Sequence, residues 1–109
     1  MINWEDFEKV DMRLGTIIKA EDFVKARKAA FKLTIDFGEM GIKMSSAQIT
    51  DLYIKEELLG KQVIAVVNFP LKQIANFFSE CLVLGVYTID NKVVLLQPTQ
   101  QVTNGSRIG

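Results

Sequence analysis

A strict alternation of apolar and polar residues over positions 31–37 constrains the fold of this chain more than any other feature. The large apolar residues Phe31, Leu33, Ile35 and Phe37 are separated by Lys32, Thr34 and Asp36. Because successive side chains of a strand point to opposite faces of the sheet, this pattern predicts a strand with one buried and one solvated face. Residues 62–67 are instead apolar on both faces, which is typical of a central strand.

Short strands recur along the rest of the 109-residue chain and predict a closed barrel. The further predicted strands, with glycine or Asp-Asn turns between them, are residues 14–18, 42–49, 82–86 and 93–96. We therefore predict an all-β fold, an OB-fold barrel of about five strands, as a single domain over residues 1–109. An SH3-like barrel is the alternative architecture.

Short helical elements are expected at the N-terminus and in the middle of the chain. Asn3 is a suitable N-cap for a helix that begins at Trp4. Residues 51–59 predict a loop with a helical turn. Residues 71–78, which follow Pro70, predict a short helical or looped excursion from the barrel.

The predicted N-terminal helix carries an apolar stripe that has no core to join. Trp4, Phe7 and Val10 recur at the spacing of one helix face. Hydrophobic residues make up 49% of the chain and the mean hydropathy is +0.17, more apolar surface than so small a barrel easily hides. We therefore predict a homodimer in which Trp4, Phe7 and Val10 meet the other subunit.

The composition argues against catalysis. The chain has no histidine, which removes His-based triads and nearly every zinc site, and it has no glycine-rich phosphate loop. We therefore expect no catalytic residue, no metal and no cofactor. The single cysteine, Cys81, opens an apolar run, is expected in the core, and fits a reducing cytoplasm. No apolar stretch approaches the roughly 18 residues of a membrane span, so no membrane insertion is expected.

Charge is balanced overall but uneven along the chain. Lys and Arg number 13 and so do Asp and Glu, a formal net charge of zero, which is evidence against strong non-specific nucleic-acid binding. Residues 25–32 nevertheless hold several cations and no anion. This stretch is interpreted either as a solvated loop or as a contact for phosphate or an acidic partner. The candidate phosphate contacts are Arg13, Lys25, Arg27 and Lys28.

Polar residues at the ends of apolar runs mark a candidate binding groove. Because an unpaired buried polar group costs roughly 1–3 kcal/mol, such residues either bond to the protein or face a ligand. Asn68 and Glu80 can alternatively cap backbone amides, and any one aromatic residue can alternatively belong to the core. The candidate partner-binding residues are Lys43, Ser45, Gln48, Asn68, Lys72, Phe78, Ser79 and Glu80.

Several segments together resemble the tRNA-binding-domain family, whose members are OB-folds found alone or appended to tRNA synthetases. The sequences of residues 42–49 and 62–70 are similar to those of its free-standing CsaA branch, described as an export-related molecular chaperone. The resemblance implies a groove at one mouth of the barrel and a two-fold dimer. The segments that carry it are residues 11–17, 33–38, 59–61, 66–70 and 79–80, and the ending from Pro98 to Gly105.

The sequence departs from the RNA-binding members of that family in ways that lower its positive potential. Cys81 and Leu82 stand where those members have Gly-Met, and Lys72 is the only charge in an excursion that is commonly basic. A module that holds unfolded or secretory protein segments is therefore the preferred function. A tRNA-binding module that uses the same groove electrostatically is the alternative.

Overall fold

The computed structural model describes residues 1–109. Two short helices, α1 (Trp4–Glu8) and α2 (Lys55–Leu58), and a 3-10 turn (Gly38–Met40) accompany nine strands. The strands are β1 (Met12–Asp22), β2 (Phe31–Asp36), β3 (Ile42–Ala47), β4 (Gln62–Val66), β5 (Lys72–Ile74), β6 (Phe77–Ser79), β7 (Leu82–Val83), β8 (Gly85–Tyr87) and β9 (Val93–Leu95). No helix is long and apolar enough to cross a membrane.

A five-stranded antiparallel sheet in the order β3-β2-β1-β4-β7 curls into a nearly closed, OB-like barrel, which confirms the predicted all-β fold. The alternation over β2 is as expected: Phe31, Leu33 and Ile35 are buried, whereas the residues between them are partly exposed. Along β4, Val63 and Ala65 are fully buried. The barrel interior is therefore filled by apolar side chains from both of these strands.

The long strand β1 pairs with β4 through its first half and with β2 through its second half, with a register shift between Ile17 and Lys19. Gly15 lies where β1 crosses the core. A Cβ atom there would lie 2.6 Å from Ile35 and 2.7 Å from Phe37. Only glycine lets the strand approach those side chains so closely.

The irregular ending returns to the barrel. The carbonyl of Ser106 accepts from the N–H of Leu14, and the N–H of Ile108 donates to the carbonyl of Met12. The buried amide of Gln62 binds both backbone groups of Val102: its Nε2 donates to the carbonyl (2.6 Å) and its Oε1 accepts from the N–H (3.0 Å). The bonds to Leu14 and Met12 cover the edge of β1 that β2 leaves unpaired, and those of Gln62 hold the ending against β4.

Several local predictions are confirmed and one is corrected. Asn3 caps α1, and α2 lies within the predicted helical turn of residues 51–59. Residues 71–78 are not helical, because β5 and β6 form a hairpin whose turn places Ala75 at φ +55°. The physical reason is the buried ring of Phe77, which packs edge-on against Phe23 (5.2 Å between ring centroids) and holds β6 extended.

Candidate functional site

A groove of about 1050 Å³ lies between the end of β3 and the segment that contains β7 and β8. Ala47, Ile49 and Cys81 are buried residues at its surface. Of the residues predicted to bind a partner, Gln48, Lys72, Ser79 and Glu80 line this groove, as does Lys28 from the predicted phosphate contacts. The structure therefore brings together part of the predicted site.

Side chains of Ser45, Ser79 and Glu80 join β3 to the segment before β7. The Ser45 hydroxyl donates to the Cys81 carbonyl (2.9 Å), and the N–H of Ser46 donates to Ser79 Oγ (3.2 Å). The N–H of Met44 donates to Glu80 Oε1 (3.0 Å). Ser45 is only 1% exposed, so its hydroxyl is inside the protein and does not reach the groove. The hydroxyl of Ser45, a predicted partner contact, thus bonds across the seam of the barrel.

Asn68 likewise makes its hydrogen bonds within the protein. Its Oδ1 accepts from the N–H of Asp11 (3.0 Å), and its Nδ2 donates to the carbonyl of Lys9 (2.7 Å). Both bonds fix the link between α1 and β1. Asn68 does not line the groove. Because both the acceptor and the donor of this side chain have partners within the protein, we exclude Asn68 from the proposed binding surface.

The predicted cations separate into distinct groups. Lys28 and Lys72 line the groove, and Lys25 and Arg27 are exposed on the loop between β1 and β2, all without an acidic partner. Arg13 is instead held by Asp11 (2.7 Å) and by the carbonyl of Gly105 (3.1 Å), away from the groove. Its predicted phosphate contact is therefore not supported, because its guanidinium is already bound.

The remaining cations near this surface are Lys43 and Lys32. Lys43 was predicted to bind a partner; it is partly buried on β3 and does not line the groove. Lys32 lies over the rings of Phe23 (4.9 Å) and Phe77 (5.4 Å), a cation–π contact that belongs to the small second core.

Aromatic residues of the groove differ from the one predicted. Phe77 is buried and Phe78 is 51% exposed, as their alternation on β6 requires, but Phe78 does not line the groove. Phe69, 55% exposed, and Tyr87, 74% exposed, do line it. Tyr87 could not be identified from the sequence, because it follows an apolar run in which a core residue would look the same.

Cys81 lies beneath the groove and is chemically quiet. Burial raises the pKa of its thiol from 9.0 to about 11, and a hydrogen bond with Ser45 opposes only part of that rise. Its Sγ lies 3.9 Å from the Met44 carbonyl. The expected core position of Cys81 is confirmed, with 5% of the residue exposed. The thiol is protonated at neutral pH and is therefore a poor nucleophile.

The apolar stripe of α1 is only partly exposed. Trp4 is 84% exposed and Val10 is 36% exposed, whereas Phe7 is partly buried. The helix itself is held to the barrel by Arg107, whose Nη2 donates to the carbonyl of Glu8 (2.9 Å). A fixed helix thus presents a large exposed indole.

Residues 12–107 match the family model described as "Putative tRNA binding domain". The chain belongs to the tRNA-binding-domain family. The match covers every strand of the barrel and both walls of the groove. The family resemblance noted in the sequence is therefore confirmed.

Solved structures of similar chains include two described as CsaA chaperones. The one from Bacillus anthracis str. Ames has a TM-score of 0.95 and 53% identity, and covers 100% of this chain and 99% of that chain. The one from Picrophilus torridus has a TM-score of 0.93 and 54% identity, with 100% of both chains covered.

Among curated relatives, the methionine–tRNA ligase of Chlorobium chlorochromatii (strain CaD3) is 34% identical over 107 residues, which is 98% of this chain. The same match is 15% of the ligase, so this chain spans about 15% of the length of that relative. The similarity therefore concerns one module of a longer protein.

Proposed function

We propose that this member of the tRNA-binding-domain family is a non-catalytic module that holds segments of unfolded or secretory proteins in the groove beside β3 and β7. It would act as a homodimer in the cytoplasm, in support of protein export. The similarity to CsaA chaperones over the whole of both chains supports this choice over the function of a synthetase module.

The observation that carries the proposal is the mixed surface of the groove. Apolar residues such as Phe69, Leu82 and Tyr87 line it beside polar ones. Its two cations, Lys28 and Lys72, are equal in number to its two acidic residues, Asp51 and Glu80. A groove with balanced charge and a mixed lining suits a polypeptide better than a phosphate backbone, which requires an excess of positive charge.

Transfer RNA is the second candidate partner. The loop between β1 and β2 carries Lys25, Arg27 and Lys28 without acidic partners, and Lys28 lines the same groove as the exposed rings of Phe69 and Tyr87. Cations that bind phosphate and aromatic rings that stack on bases are the usual parts of a single-strand RNA site. The family description and the similarity to a methionine–tRNA ligase favour this candidate.

Salt dependence separates these candidates. Affinity for fluorescent tRNA and for a fluorescent, permanently unfolded polypeptide would be measured by anisotropy between about 50 and about 200 mM salt. We expect the polypeptide to bind with an affinity that changes little with salt, because few counterions are released. The double variant Lys28→Ala/Lys72→Ala is the control, since it should weaken only tRNA. Tight, steeply salt-dependent tRNA binding without polypeptide binding would reverse the assignment.

A further inference from the structure

The barrel is closed by hydrogen bonds along only part of the seam between β3 and β7. Toward the start of the seam, Ser45 and Ser79 both donate to the Cys81 carbonyl (2.9 and 3.2 Å), and the N–H of Glu80 donates to the Met44 carbonyl (2.8 Å). Beyond Cys81 no hydrogen bond joins the two strands, and residues from the end of β3 and from β7 line the groove. The seam therefore opens where β3 ends and β7 begins.

The β7 side of the opening presents free backbone groups. Val83 is opposite Ala65, and the N–H of Leu84 donates to the Ile64 carbonyl (2.8 Å). Directly opposed residues of an antiparallel ladder alternate between bonded and unbonded pairs. Because the Leu84 pair is bonded, the N–H and carbonyl of Val83 point away from β4, toward β3, and no other group of the protein bonds to them.

The β3 side presents free groups as well. The backbone groups of Met44 and Ser46 that face away from β2 are used at the closed part of the seam. Gln48, the next residue of that alternation, makes no hydrogen bond through its main chain or its side chain, and it lines the groove. Unpaired backbone groups of Val83 and of Gln48, the first residue after β3, thus both lie at the groove.

We propose that a client polypeptide binds in this opening as an added strand and completes the barrel, a mode that rests on the function proposed above. Its backbone would pair with the N–H and carbonyl of Val83 on one side and with Gln48 on the other. Only an extended polypeptide offers donors and acceptors at the spacing of both edges. Alternate side chains of the client would then lie on the apolar surface of Ala47, Ile49 and Cys81.

This mode predicts recognition of the client's backbone more than of its sequence. Main-chain hydrogen bonds supply the affinity in strand addition, and side-chain pockets supply the specificity. A protein that binds many unfolded segments needs affinity from main-chain hydrogen bonds, since its clients have the backbone in common and differ in their side chains. Clients would also have to present an N–H at each paired position, where proline has none.

The test is a backbone N-methylation scan of one peptide against the full-length protein. The probe is a fluorescein-labelled peptide of about seven residues with leucine alternating with serine, methylated at one amide at a time. We expect methylation of the amides that pair with Val83 and with Gln48 to weaken binding about tenfold and methylation of the remaining amides to change it less than about threefold, since only the paired N–H groups lose a hydrogen bond. Equal losses of affinity on methylation of every amide would overturn the added strand while leaving the groove function intact. Failure of the unmethylated peptide to bind would overturn both.

Amide hydrogen exchange supplies a second readout within the same protein. The N–H of Leu84 is bonded to Ile64 in the free protein, whereas that of Val83 is free. Saturating peptide should therefore slow exchange at Val83 about tenfold or more and leave Leu84 little changed. Unaltered exchange at Val83 with bound peptide would contradict the pairing.

Discussion

The hydroxyl of Ser45 donates a 2.9 Å hydrogen bond to the carbonyl of Cys81 and so ties β3 to the segment that enters β7. The two residues are not partners in a regular strand ladder, because β3 and β7 do not pair as strands. The barrel is thus closed by bonds of the Ser45, Ser79 and Glu80 side chains and by one backbone bond, from the Glu80 N–H to the Met44 carbonyl, where a strand pair would be expected. This arrangement leaves the groove open directly beyond the bond.

Replacing Ser45 by Ala should lower the free energy of unfolding by about 1–2 kcal/mol, because the buried Cys81 carbonyl loses its shorter hydrogen bond. The matched control is Ser46→Ala, since the Ser46 side chain donates no hydrogen bond and only its backbone N–H is used. Urea denaturation measures both variants. Equal stability of the two would show that the Ser45 bond does not hold the seam.

Replacing Asn68 by Ala should lower the free energy of unfolding by about 1 kcal/mol and leave client affinity unchanged, because its amide serves the link between α1 and β1. Asn76→Ala is the control, as Asn76 is exposed and makes no side-chain hydrogen bond. Denaturation and client anisotropy are measured together. A large loss of affinity in a stable Asn68→Ala protein would return Asn68 to the binding surface.

The fold was predictable from the sequence where a residue pattern is compatible with only one local structure. The alternation of Phe31, Leu33 and Ile35 requires a one-sided strand, and the capping residue Asn3 marks where α1 begins. The β5–β6 hairpin was missed because its strands have three residues each, too few to show a period. Only the burial of Phe77 against Phe23, a long-range contact, fixes them as strands.

The site was predictable only in part, for a related reason. A polar residue at a strand end looks the same in sequence whether it bonds to its own protein or faces a ligand. Gln48 lacks a partner, whereas Ser45 and Asn68 satisfy their hydrogen bonds internally. Whether such a residue bonds within the protein or faces a ligand depends on which backbone groups lie near it. Only the folded barrel sets the positions of those groups.

The stability of the protein should fall as the pH rises from about 9 to about 11 through the titration of Cys81. Burial holds the pKa of the thiol above its value in the unfolded chain, so over that range the unfolded chain has lost a proton that the folded protein retains. The loss should total about 2–3 kcal/mol. The variant Cys81→Ala gives the background from lysine titration, and denaturation profiles of the two that fall in parallel would refute the assignment.

A homodimer should be visible by light scattering at micromolar concentration as twice the monomer mass of 12.3 kDa. We expect Trp4→Ser to weaken it, since a self-complementary interface uses the same exposed indole on both subunits. Val24→Ser is the control, because Val24 is 91% exposed on the loop between β1 and β2. A monomer mass, or a dimer unchanged after removal of residues 1–10, would contradict the N-terminal interface.

The most direct test of the groove compares two phenylalanines that are almost equally exposed. Phe69 (55%) lines the groove, whereas Phe78 (51%) lies on the β5–β6 hairpin outside it. Anisotropy with a fluorescent unfolded polypeptide should show that Phe69→Ala weakens binding by roughly 1–3 kcal/mol, as expected for a desolvated anchor. Phe78→Ala should change it by less than about 0.5 kcal/mol. A silent Phe69→Ala together with a weakened Phe78→Ala would contradict the assignment of the groove and move the binding surface to the hairpin.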